Sequence, residues 1–229
     1  MQIDNRTVLV TGASGGLGLE FAAQALDRGA AKVYAAARRE IPLDDPRLAP
    51  IRLDVTDSDS IAAAASTASD VDILINNAGI ISGSSLLESP MSEIRDVFET
   101  NVFGVLEMTR AFRPILAARG GGAVVDIASA LSWIAMPGAY SPSKAALWGL
   151  TNSLRAELAG QGTQVLGAHL SYAATPMTVD VIDVPKLDPQ AVVGIVLDAL
   201  ERGDDEIIVD DITAAVRASL STNTTAALI

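Results

Sequence analysis

The chain has 229 residues, no cysteine, one histidine and a formal net charge of −12. That acidity argues against nucleic acid and anionic membrane as partners, and the missing cysteine excludes disulfides and thiolate zinc sites. Hydrophobic residues make up 49%, which excludes a disordered chain and suits one α/β domain spanning 1–229 with a sizeable core.

Met1 to Arg6 holds no apolar signal region, and no apolar run approaches membrane-spanning length, so the expectation is a cytoplasmic protein with no membrane partner. The lone His169 disfavours a histidine-rich site, and no metal is expected. Thr7 to Val10 is a short β-branched run and reads as a first buried strand. It enters Thr11-Gly12-Ala13-Ser14-Gly15-Gly16-Leu17-Gly18. Leu19 to Leu26 then reads as a helix stopped by Gly29. Strand, glycine loop and helix together present backbone N–H groups and a positive helix end to phosphate.

Three readings of this loop compete with dinucleotide binding. A P-loop is excluded, because no Gly-Lys-Ser/Thr follows. Gly12-Ala13-Ser14-Gly15-Gly16 fits the Gly-x-Ser-x-Gly elbow of a serine hydrolase, with Ser14 as nucleophile and His169 as the sole candidate base. A plain glycine turn without ligand is the third. Spaced glycines directly after a strand favour the dinucleotide.

Lys32 to Ala36 reads as the second strand, ended by Ala37-Arg38-Arg39. An NAD site calls for an acidic residue about 20 positions beyond the loop to hold the ribose 2′-hydroxyl. Arginines stand there instead, and a guanidinium pairs with a 2′-phosphate. NADP(H) is therefore expected over NAD(H), although surface arginines are the plainer alternative. Residues 41–50 carry Pro42, Pro46 and Pro50 and read as a loop. Ile51 to Leu53 is the third strand, and Asp57 or Ser58 caps the next helix. Ile73 to Ile75 is the fourth strand and ends in Asn76-Asn77-Ala78-Gly79, small and amide residues suited to a crevice ligand.

Ser89-Pro90 reads as an N-cap followed by a first-position proline. Helix continues to about Ala118, with a break near Asn101. Val124 to Ile127 is the fifth strand, Ala139 to Ala159 the longest helix, Gln164 to Leu170 the sixth strand and Ile207 to Val209 the seventh. Asp188-Pro189 caps the helix between the last two. Residues 221–229 read as a flexible tail. Alternating strands and helices predict a single doubly wound Rossmann-type domain with a mostly parallel, about seven-stranded sheet. Tyr140 and Lys144 share one helix face, so the pair can serve as general acid and base; a surface tyrosine and a solvated lysine fit the same spacing.

Taken together these motifs resemble the short-chain dehydrogenase/reductase family along nearly the whole chain. Thr11, Gly12, Gly16 and Gly18 match its Thr-Gly-x-x-x-Gly-x-Gly. Asn76 to Gly79 match Asn-Asn-Ala-Gly, Asn101 its active-site asparagine, Ser129 its serine, and Tyr140 with Lys144 its Tyr-x-x-x-Lys. The resemblance implies hydride transfer between a nicotinamide and a carbonyl or secondary alcohol. Tyr140 would move the proton. Lys144 would lower the tyrosine pKa and hold the nicotinamide ribose. Ser129 would bind the substrate oxygen, and Asn101 would orient a water. Ser14, Gly15, Leu17, Asn77, Ala78 and Gly79 would line the cofactor, Asp54 and Val55 its adenine, and Thr175 its carboxamide. The chain departs in two places. The Ser129–Tyr140 stretch is short for the family, which lets Ser132 compete for the serine's role, and Leu170-Ser171 replaces its Pro-Gly.

Leu131, Trp133, Met136, Tyr172, Met177 and Val181 flank these motifs and are expected to form a hydrophobic pocket under a small lid. The resemblance also implies a homodimer or homotetramer through the two long helices, with Ala145, Ala146, Leu147, Trp148 and Leu150 as candidate contacts. A cofactor-sensing or scaffold protein without turnover is the rival from another class.

Overall fold

A computed structural model describes residues 1–42, 44–82 and 85–222. Of the expected tail, the first two residues fall in a 3-10 turn, Leu220–Thr222, and 223–229 lie outside the described residues. Seven strands form one sheet: β1 Thr7–Thr11, β2 Lys32–Ala37, β3 Leu48–Arg52, β4 Ile73–Asn76, β5 Ala123–Ile127, β6 Gln164–His169 and β7 Glu206–Ile208. Their order is β3-β2-β1-β4-β5-β6-β7, and every pairing is parallel.

The helices are α1 Gly16–Asp27, α2 Ser58–Thr67, α3 Met91–Phe98, α4 Gly104–Ala118, α5 Tyr140–Leu158, α6 Pro189–Arg202 and α7 Asp211–Ser219. Side chains alternate across each strand, so Val8, Val10, Ile73 and Ile75 bury one face against α1 and α6 through Phe21, Leu26, Val196 and Leu197. Leu9, Leu74 and Val124 bury the other against α2, α4 and α5 through Ile61, Phe112, Leu116 and Leu154. Phe112 is fully buried, and cutting it to alanine would cost about 3–5 kcal/mol. Chain order reverses between β1 and β4, which opens a crevice at the strands' carboxyl ends.

Two local details differ from expectation. The third strand starts earlier and takes in part of the proline-rich stretch, with Pro50 in register with Ala35. A sheet edge tolerates the missing N–H, and β3 is such an edge. α3 begins at Met91, with Pro90 in the cap position and no side-chain cap. The break near Asn101 is a π-helical turn, Glu99–Phe103, between α3 and α4. Asp57 and Asp188 cap α2 and α6 as expected. Among the described residues no helix is long and apolar enough to cross a membrane.

Candidate active site

The glycine loop is pressed between β1, α1 and the end of β4. Gly12 has φ +68°, and a Cβ there would meet the Ala78 backbone at 3.0 Å. A Cβ on Gly18 would sit 2.3 Å from the Gly12 carbonyl oxygen, so only glycine lets the helix approach this closely. Thr11 Oγ1 accepts the Asn77 and Ala78 N–H groups, both at 3.0 Å, and Asn77 Nδ2 donates to Thr11 O at 2.9 Å. The loop and Asn77-Ala78-Gly79 are therefore one unit. α1 starts at Gly16 with no side-chain cap and no acidic residue in its first turn. Its leading N–H groups and positive end suit an anion. Ser14 and Leu17 border this start, and Thr175 packs on it, 3.3 Å from the place of a Gly16 Cβ.

The expected catalytic residues converge at the ends of β4 and β5. The π-helical turn aims Asn101 inward, a common use of such turns. Its Oδ1 accepts Ile80 N–H at 2.9 Å, and its Nδ2 donates to Ile80 O at 2.9 Å and to Ser143 Oγ at 3.0 Å. Ser143, fully buried, donates in turn to Tyr140 O at 2.7 Å. Lys144 Nζ donates to Ile127 O at 2.7 Å and lies 5.6 Å from the Tyr140 ring centroid. Ser129 Oγ accepts Leu131 N–H at 3.1 Å and reaches Leu170 O only at 3.5 Å. Ser132 Oγ is buried without a partner among the described residues. Ser143 escaped the sequence reading, although it stands inside the Tyr140–Lys144 motif on the helix face that meets Asn101.

Burial pushes Tyr140 up to about 12, with Tyr172 adding to the rise. Burial also brings Lys144 down to about 8. The tyrosine thus moves opposite to the direction implied by the family resemblance. Loss of water is the leading cause, and the Lys144 ammonium is held by the Ile127 carbonyl.

At the end of β2 the side chain of Arg38 is 70% exposed, and its one ion pair among the described residues, to Asp54, is 3.9 Å long. Arg39 is exposed beside it. Asp54 is held below the usual carboxylate range chiefly by the Thr56 N–H. Val55 packs its carbonyl where a Gly104 Cβ would stand, at 2.7 Å.

On the substrate side, the Tyr172 hydroxyl contacts Met136 Sδ at 3.6 Å. Leu131 is half-buried next to Ser129. Beyond Thr175 the chain makes a single 3-10 turn, Pro176–Thr178, tied at its base by a bridge between Ala173 and Leu187. The expected small lid is this loop. It carries the exposed Met177 and Val179 and the half-buried Val181. Ala174, Thr175, Pro176, Val179 and Lys186 line an open cavity of about 480 Å³.

Trp133, expected in the pocket, instead stacks on His169 at 4.1 Å and meets Trp148 edge-on at 5.9 Å, under the Arg217 guanidinium. The π-faces of both tryptophans attract that cation. His169 has its Nδ1 against Ser129 O and its Nε2 facing Glu206. Its ring nitrogens are engaged away from Ser14, so the hydrolase reading lacks its base. Among the candidate oligomer contacts, Leu147 is buried in the chain's own core with Val105 and Ala128.

The family profile for short chain dehydrogenase matches residues 6–184. Ketoacyl reductase HetN of Nostoc sp. is 33% identical over 91% of this chain and 79% of its own length. Galactitol 2-dehydrogenase (L-tagatose-forming) of Cereibacter sphaeroides is 37% identical over 81% of this chain and 78% of its own. A short chain dehydrogenase from Burkholderia cenocepacia, solved in complex with NADP, superposes with a TM-score of 0.92 at 37% identity, over 97% of this chain and 95% of that one. A match that spans glycine loop, strand ends and Tyr140–Lys144 helix alike makes this chain an oxidoreductase of the short-chain dehydrogenase/reductase family.

Proposed function

We propose that the protein is an NADP(H)-dependent carbonyl reductase or alcohol dehydrogenase for hydrophobic ketones or secondary alcohols, with Tyr140 moving the proton. The chain from Gly79 through Asn101 and Ser143 to Tyr140, with Lys144 on the carbonyl two residues before Ser129 and α1 starting uncapped, carries this reading. Gly12, Ser14, Gly15, Gly16, Leu17, Gly18, Asn77, Ala78, Gly79 and Thr175 would hold the dinucleotide, with Asp54 and Val55 at its adenine end. Bound there, the nicotinamide supplies or accepts a hydride. The exposed Arg38 and Arg39 suit a 2′-phosphate, and the Burkholderia cenocepacia relative binds NADP.

The chain's own residues do the rest. Tyr140, at about 12, stays protonated at neutral pH and can release its proton to the developing alkoxide. Lys144 supports the phenolate left behind. Ser129 keeps accepting from Leu131 while its weakly used hydrogen turns to the substrate oxygen. Met136, Tyr172 and Met177 offer apolar surface, and that supports a hydrophobic substrate.

The test is NADPH consumption with aryl, aliphatic and cyclic ketones, run beside NADH and beside Tyr140→Phe. Turnover that vanishes in the variant supports the reading. NADPH binding without turnover on any carbonyl would favour the sensor alternative.

A further inference from the structure

Asp126 is a carboxyl on β5, 0% exposed, one residue before the carbonyl that holds Lys144. Its Oδ1 lies 2.9 Å from Asn76 Nδ2, and its Oδ2 lies 2.8 Å from Thr151 Oγ1. Thr151 Oγ1 is also 2.9 Å from Leu147 O. Asn76 Nδ2 gives its other hydrogen to Thr109 Oγ1 at 3.3 Å, and Thr109 donates to Val105 O at 2.8 Å.

This knot is rich in acceptors. A threonine hydroxyl has one hydrogen, yet Asp126 Oδ2 and the Leu147 carbonyl both face the one on Thr151. Asn76 Oδ1 is buried and has no donor among the described residues. Lys144 and Arg155 act on Asp126 through space and favour its charged form, but no lysine or arginine forms an ion pair with it among the described residues. Lys144 spends its hydrogen bond on Ile127 O. Arg155 is bonded to Val165 O, Asn152 and Asp205 O. On β6 the residue in register is Gly167, which brings no side chain. A buried carboxylate with no cation in contact, among more acceptors than donors, takes up a proton rather than stay charged.

We propose that Asp126 is a positioning residue for Lys144: as a neutral carboxylic acid it donates to Thr151 Oγ1 and accepts the Asn76 amide. It thereby ties β4, β5 and α5 together where Lys144 reaches the Ile127 carbonyl. Removal from water also acts on Asp126 in that sense, raising its pKa. A neutral acid leaves the Lys144 ammonium without a competing carboxylate, so its charge remains available to the Tyr140 phenolate. The catalytic part of this inference rests on the proposed proton-transfer role of Tyr140 and Lys144.

Two measurements test it. In the infrared difference between wild type and Asp126→Asn at neutral pH, a carboxylic-acid C=O band is expected; carboxylate bands alone overturn the neutral acid, whatever the protein turns over. Kinetically, Asp126→Leu should lower kcat at least ~10-fold, with the cofactor Kd kept within ~2-fold, because Lys144 loses its seat. Asparagine preserves both hydrogen bonds, so Asp126→Asn should restore kcat with the pH profile of the wild type. A profile shifted to lower pH in Asp126→Asn means that an ionised Asp126 holds the Lys144 charge, and overturns the proposal. Unchanged kcat in Asp126→Leu overturns the positioning role. Should the leucine variant not fold, Thr151→Val removes the acceptor and is read in the same way.

Stability gives an independent check. The folded chain would keep a proton that the unfolded chain releases above the ordinary carboxyl range. Wild type should therefore lose Tm relative to Asp126→Asn as pH rises from that range toward neutrality. A constant difference overturns the neutral acid.

Discussion

The cofactor half of the cleft is joined by contacts that leave no room for a methyl group, whereas the substrate half is a loop with apolar side chains in solvent. On the first side Thr11 clamps Asn77 and Ala78, and Gly18 touches the Gly12 carbonyl. On the second, Met177 is 44% and Val179 67% exposed on a segment held by the Ala173–Leu187 bridge and by Lys186 Nζ on Thr178 O. Under the proposed function one half would serve a constant partner and the other a variable one. A rigid cradle needs no binding energy to order it, while a loose loop can be re-cut for new substrates without touching the chemistry.

The sharpest way to break this comparison lies at the junction of the halves. Tyr140→Phe should lower kcat by about 10²–10⁴-fold, the usual worth of a general acid, with cofactor affinity retained; a smaller loss in single-turnover kinetics would remove Tyr140 from the proton path. Next is Gly18→Ala, whose methyl would meet the Gly12 carbonyl. Overpacking of about 1–3 kcal/mol should weaken NADPH and NADH equally in a titration and lower Tm. Arg38→Asp should weaken NADPH about 10–100-fold, the worth of a charged hydrogen bond lost, and leave NADH nearly unchanged. Equal effects on both would reject the 2′-phosphate role.

The pH profile separates the two ionisations. Burial lowers Lys144 to about 8 and raises Tyr140 to about 12. The ammonium is lost as pH rises through the lower value, so kcat/KM for reduction should fall above about 8 while the phenol remains protonated. A flat profile to pH 10 would mean that the lysine charge is not needed. The smallest effect belongs to the loop. Met177→Ala should raise KM for apolar ketones only several-fold, as expected for about 1 kcal/mol of half-exposed surface, with cofactor Kd unaltered. A drop in cofactor affinity would show that the two halves are coupled.

The sequence by itself determined the seven strands, the parallel winding, the caps at Asp57 and Asp188 and the family motifs. These depend on local spacing, on hydrophobic period and on glycines whose absence of a side chain is the signal. It could not decide what distant segments do to one another. The third strand crosses a proline because β3 lies at an edge, which only the strand order reveals. Trp133 left the expected pocket because His169, Trp148 and Arg217, remote in sequence, form a better place for its ring. The tyrosine pKa rose because water is removed around it, and burial is a property of the assembled fold. Ser143 and Asp126 look like filler in the sequence. They gain meaning only when β4, β5, α5 and the π-helical turn are brought within hydrogen-bond distance, where each buried polar group must find a partner or take a proton.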